Sequence, residues 1–139
     1  MPAVHFRHID DFDWKEVIVQ MHGDKRVTTQ LKFLEMSPTR TVIYTHYDAG
    51  MTLEEHGHSS DHVLFILKGM VTIGDQECPP GMMVLLEHGA TFGGTIVAGP
   101  EGCELIEFYT GDITPVPKDR EAFHAMLDER GIKQVPVNF

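Results

Sequence analysis

Residues 50–69 read Gly50-Met51-Thr52-Leu53-Glu54-Glu55-His56-Gly57-His58-Ser59-Ser60-Asp61-His62-Val63-Leu64-Phe65-Ile66-Leu67-Lys68-Gly69, and they hold three of the chain's nine histidines. His56 and His58 are two apart, so on a strand both side chains leave the same face and can converge on one ion. His62 follows a Ser59-Ser60-Asp61 break that can turn the chain back to the same point. Imidazole binds Zn, Fe, Ni, Co, Mn and Cu at roughly 2.0–2.2 Å, and three of them make a facial set with positions left open. Chance alone produces the HxHx3H spacing in roughly one such chain in 25. What raises its weight is the glycine frame: Gly50 stands six before His56 and Gly69 seven after His62, where strands must turn.

Outward from this stretch the segments are short, rich in Val, Ile, Thr, Phe and Tyr, and punctuated by 13 Gly and 8 Pro, the texture of an all-β barrel or sandwich. Val27, Thr29, Leu31 and Phe33 alternate with Thr28, Gln30 and Lys32, which predicts a strand with one buried face, paired to 14–21 across His22-Gly23-Asp24. A further strand is expected over 41–47, after the Ser37-Pro38-Thr39-Arg40 break. Val71-Thr72-Ile73 and Gln76-Glu77-Cys78 flank Gly74-Asp75 and predict a hairpin with a primed turn. Strands are expected at 82–86, 95–98 and 104–109, with 98–102 as a turn between the last two. From Asp119 to Arg130, the residues Ala122, Phe123, Met126 and Leu127 form one apolar helical stripe, and Gly131 stops it.

At 139 residues the chain is read as one domain: N-terminal strands over 1–40, a barrel with the histidine motif over 41–112, and a C-terminal segment with the helix over 113–139. With 11 Lys and Arg against 21 Asp and Glu the net charge is -10, which disfavours nucleic acid and anionic membrane surfaces as partners. No apolar run approaches the length of a membrane-spanning helix, and no signal peptide is read at the start, so a cytoplasmic location is expected. Cys78 and Cys103, far apart and without a CxxC, read as buried reduced thiols.

The histidine stretch resembles the first motif of the cupin superfamily, G-x5-H-x-H-x3 or 4-E-x6-G. Gly50, His56, His58 and Gly69 match in register, and His62 occupies the place of the Glu. The second motif, G-x5-P-x-G-x2-H-x3-N, falls on Gly81, Glu87, Gly89, Phe92 and Ile96, with only the glycines kept. The resemblance implies a cupin-type double-stranded β-helix (jelly-roll) barrel, here with a short C-terminal helix. It further implies a divalent metal ion held by His56, His58 and His62, Fe(II) favoured and Zn, Ni or Mn possible, with Phe92 where a fourth ligand would stand. No carboxylate remains in that expected ligand set. The arrangement resembles the three-His iron centres of small cupin dioxygenases that cleave β-diketones, although there the third His comes from the second motif.

Three functions stay open on these residues: a metal-dependent dioxygenase acting on a small chelating metabolite, a non-catalytic binding or sensing module, and a Zn or Ni isomerase or hydrolase. The expected partner is a small-molecule ligand. Phe92, Tyr44, Phe65, Phe108, Met82 and Met83 are read as a possible apolar pocket around the ion, against ordinary core packing. His88 is a replacement ligand only if its loop swings in, His46 reads as a satisfied core or rim histidine, and Glu54 and Glu55 as a solvated pair or a carboxylate at the pocket mouth. The N-terminal strands, 14–36, would otherwise expose unpaired backbone, so they are expected to augment or pack against a second copy's sheet in a homodimer.

Overall fold

Alternate apolar positions build about half of the molecule as strands. The computed structural model describes residues 1–137. After a 3-10 turn at Ile9–Asp11, the strands are β1 (Lys15–His22), β2 (Lys25–Ser37), β3 (Arg40–Tyr47), β4 (Thr52–Leu53), β5 (His56–Gly57), β6 (His62–Ile73), β7 (Gln76–Cys78), β8 (Met83–Leu86), β9 (Ile96–Tyr109), β10 (Val116–Pro117) and β11 (Ile132–Val135). One helix, α1 (Arg120–Glu129), precedes the last strand, its first turn capped by the Asp119 carboxylate on the Ala122 amide at 3.0 Å.

The main sheet is antiparallel with the order β11-β1-β2-β3-β9-β6-β7, while β4 adds to β9 and β8 to β6. It curls into an all-β jelly-roll barrel. On β6 the residues Leu64 and Ile66 face inward and are buried, whereas Phe65 and Leu67 face out. Ile66, Val71, Leu105, Val27, Tyr47, Met51 and the two free cysteines close the core. Each fully buried aliphatic side chain contributes roughly 1.5–3 kcal/mol, which makes the inner face the main source of stability.

The β1–β2 hairpin, the β6–β7 hairpin and α1 fall where the sequence puts them. Two expectations need correction. The segment 98–102 is not a turn between two strands: β9 runs through it, and residues 99–102 bulge opposite Met70 between the pairs Val71–Ala98 and Gly69–Cys103. Gly102, at φ +74°, takes the kink that lets pairing resume. The outer edge of β1 is covered over Val19–His22, where β11 pairs with it from Val19–Val135 to His22–Ile132. The chain's own tail therefore occupies half of the edge expected to meet a second copy. Among the described residues no helix is long and apolar enough to cross a membrane.

Candidate functional site

The three histidines of the motif come together at one end of the barrel. His56 lies on β5, His62 opens β6, and His58 sits between them on the connecting segment. Gly57 sets this up. A Cβ there would stand 2.1 Å from the Ala90 carbonyl oxygen, so only glycine lets the 87–92 loop pass. That loop is pinned by the Gly89 amide on the His58 carbonyl at 3.2 Å and the Phe92 amide on the His56 carbonyl at 3.1 Å. On the other side β10 pairs with β5, and the Lys118 amide donates to the Glu55 carbonyl at 3.1 Å.

The His58 ring stands 5.0 Å from that of His56 and 4.8 Å from that of His62, nearly perpendicular to both. Tyr109 stacks on His62 at 3.9 Å. The Phe92 ring packs at 5.1 Å from His56 and 5.8 Å from His62. It also lines a groove of about 420 Å³ with Ile73, Cys78, Met82 and Val84.

Hydrogen bonds decide which nitrogens are free. His56 Nδ1 donates to the Glu54 carbonyl at 2.7 Å, which leaves Nε2 with the lone pair. His62 Nε2 donates to Glu107 Oε1 at 2.9 Å, and its Nδ1 is buried without a partner. Both nitrogens of His58 are buried without a partner as well. An unpaired buried polar group costs on the order of 1–3 kcal/mol, so three clustered ones need a reason. Burial pushes the His58 pKa down to about 4, with the neighbouring His62 and His56 adding to the effect and Glu107 and the Ile113 backbone opposing it. At neutral pH the ring is uncharged and its lone pair available.

Glu107 is the residue the sequence reading missed. It is buried on β9 and accepts from His62, from Tyr109 OH at 3.1 Å and from Thr45 Oγ1. Burial alone would raise its pKa, but these hydrogen bonds, led by that of His62, outweigh it and hold the carboxyl below its ordinary range. The Tyr109 phenol is pushed up by burial and by Glu107. No carboxylate was expected in the ligand set, and Glu107 does not join it: the acid stands directly behind one of the histidines. Its signal was present, since Leu105, Glu107 and Tyr109 share the inward phase of a strand.

Of the aromatic residues expected around the site, Phe92 is there and the others are not. Phe65 and Phe108 are exposed on the outer face of β6 and β9, on the opposite phase to His62 and Tyr109. Tyr44 is also on the outer face, under Trp14 at 5.3 Å, with its hydroxyl donating to Glu104. Met83 is exposed, and Met82 packs on the core. His88 stays at the surface, its amide bound to Asp61 at 2.9 Å. His46 is held between Glu104 and Asp48, each at 3.0 Å. Glu54 and Glu55 pair with Arg120 at 3.1 Å and Lys118 at 3.3 Å, so they tie the tail segment to the motif.

Among the described residues no three His, Cys, Asp or Glu side chains stand with their donor atoms already converged as a cage for an ion. His56 and His62 each spend one nitrogen on a carbonyl or carboxylate, and the free ones are His56 Nε2, His62 Nδ1 and either nitrogen of His58. By donor type these are imidazoles of borderline softness, the kind that suits a divalent transition metal, and a carboxylate behind one of them is a common way of orienting such a ring.

No protein-family profile matches the chain, and no curated protein sequence matches it. Solved structures do. A proposed acetylacetone dioxygenase from Methylibium petroleiphilum superposes with a TM-score of 0.68 at 15% identity, covering 87% of this chain and 85% of its own. The polyketide cyclase RemF from Streptomyces resistomycificus gives 0.66 at 14% identity, covering 89% and 93%. An RmlC-like cupin from Shewanella frigidimarina gives 0.60 at 17% identity, covering 87% and 96%. The fold is that of the cupin superfamily.

Proposed function

We propose that this is a metal-binding small cupin in which His56, His58 and His62 hold a divalent ion, Fe(II) before Zn, Ni or Mn, and that it acts as a dioxygenase on a small chelating metabolite. The observation that carries this is His58: a buried imidazole, neutral at pH 7, set between two other histidines and without a side-chain hydrogen-bond partner. A bound ion would supply Lewis acidity and open coordination positions toward a chelating ligand. The chain's own residues do the rest. Glu107 holds the proton of His62 on Nε2 and so turns Nδ1 toward the other histidines. Phe92, packed on His56 and His62, narrows and dries the approach. The two free, buried thiols fit a reducing compartment, which is the reason to place the protein in the cytoplasm.

The likeness to a proposed acetylacetone dioxygenase favours oxygen chemistry; the equal likeness to a polyketide cyclase favours a second, non-oxidative reading on the same site. Metal analysis of freshly purified protein, followed by O₂ uptake with acetylacetone and catechol, separates them. Iron with uptake supports the dioxygenase; zinc or nickel without uptake favours the non-oxidative reading; the absence of any bound or bindable metal refutes both.

A further inference from the structure

Residues 110–120, which lead from β9 to α1, run antiparallel along the histidine segment 54–61. The Thr110 amide donates to Ser60 Oγ at 2.9 Å, and Thr110 Oγ1 accepts from the Asp61 amide at 3.2 Å. Gly111 passes so close that a Cβ there would stand 3.3 Å from the Ser59 carbonyl oxygen. The Ile113 backbone lies beside the His58 ring. Val116 and Pro117 pair with Gly57 and His56, and the Lys118 amide donates to the Glu55 carbonyl at 3.1 Å. Arg120 then reaches Glu54 at 3.1 Å. β5, which carries His56, stands outside the main sheet and has β10 as its strand partner.

The ends of this segment are anchored and its middle is not packed. Tyr109 is buried just before it and Phe123 just after, but none of residues 110–120 is buried. Hydrogen bonds to 54–61 and two partly exposed ion pairs, Lys118–Glu55 at 3.3 Å and Arg120–Glu54 at 3.1 Å, hold it down. Exposed ion pairs contribute little, and a segment with no buried apolar side chain opens at low free-energy cost. Beneath it His58 is 4% exposed and His62 2%.

We propose that residues 110–120 form a strap whose closure is coupled to ion binding at His56, His58 and His62. The bound ion seals the strap, and opening the strap loosens the ligand set. This rests on the metal reading of the histidines. The coupling comes from a shared element: an ion would fix His56 and His58, and their backbone is the surface on which the strap docks. With the strap open, β5 is held from one side, by the 87–92 loop. Linkage makes the two effects equal, so the factor by which the ion favours the closed strap is the factor by which closure favours the ion.

Hydrogen exchange of the full chain, read by mass spectrometry, tests this with Co(II) uptake followed in the same samples by ligand-field absorption. Saturating Co(II) should slow exchange over 110–120 by about tenfold or more, while the β1–β2 hairpin exchanges as before. Gly111→Val wedges the strap off the Ser59 carbonyl with no change of charge. Metal-free, this variant should exchange faster over 110–120, and it should bind Co(II) about tenfold more weakly. Saturable uptake with unchanged exchange over 110–120, or a slowing shared equally by the whole chain, would overturn the coupling and leave the metal reading standing. So would a Gly111→Val variant that opens the strap yet keeps wild-type affinity. No saturable uptake by the wild type would remove the metal reading, and the coupling with it.

Discussion

His62 Nε2 donates to Glu107 Oε1 across 2.9 Å inside the barrel, and Glu107 accepts from Thr45 and Tyr109 at the same time. The carboxylate has no outlet to solvent, so its charge is spent on fixing one tautomer of one imidazole. That leaves His62 Nδ1 buried and without a partner, on a ring 4.8 Å from that of His58.

Replacing Glu107 by Gln keeps the shape and removes the charge. Metal affinity should fall by about 10- to 100-fold, measured by competition with a chelator of known affinity. Glu107→Asp, which keeps the charge, should recover part of it. An unchanged dissociation constant in Glu107→Gln would show that His62 is oriented by packing against Tyr109 alone.

Phe92 stands beside His56 and His62, so Phe92→His brings a fourth imidazole to the cluster. The variant should bind Co(II) more tightly than the wild type and lose any turnover, because the added ligand takes a position that a chelating substrate needs. Without metal it should be less stable by about 1–3 kcal/mol, since a ring that packs is exchanged for a smaller polar one. Melting curves with and without metal read both effects.

His46 supplies the control. It is bound to Glu104 and Asp48 on the outer face, away from the cluster, so His46→Ala should leave metal stoichiometry intact. Its two partly exposed hydrogen bonds to carboxylates are worth about 1 kcal/mol at most, and thermal stability should drop by no more than that allows.

The pH dependence of the metal-free protein follows from His58. Its pKa is about 4 in the fold against 6.5 for the free side chain. Above pH 6.5 both states are neutral there and the residue contributes no slope. As pH falls from 6.5 toward 4, the unfolded chain takes a proton that the fold refuses, and stability declines by on the order of 3 kcal/mol. Denaturant titrations in the presence of a chelator at several pH values should show this slope, and His58→Ala should lack it. Equal slopes in the two proteins would mean that His58 can take up a proton inside the fold.

The hairpins, the tail helix and the grouping of His56, His58 and His62 were legible because they rest on short-range signals: period-two alternation, Gly74-Asp75, an apolar stripe ended by Gly131, and a histidine spacing framed by glycines. The pairing of β11 with β1 was not, since Ile132-Lys133-Gln134-Val135 has too little alternation to announce a strand, and its partner is far away in sequence. The side of each aromatic residue was missed where phase was not counted from the motif. Phe65 is three residues from His62 and Phe108 one from Tyr109, and on a strand both odd steps lead to the other face. Counting that phase would also have turned Glu107 inward, two from Tyr109.

The central claim is that the buried, unpartnered imidazole of His58 is a metal ligand, and a titration of the metal-free protein with Co(II), followed by its ligand-field bands, tests it most directly. The wild type should take up one ion per chain with a defined end point, and His58→Ala, folded by circular dichroism, should show no saturable uptake. Identical titrations of the two proteins, or no saturable binding by the wild type, would contradict it.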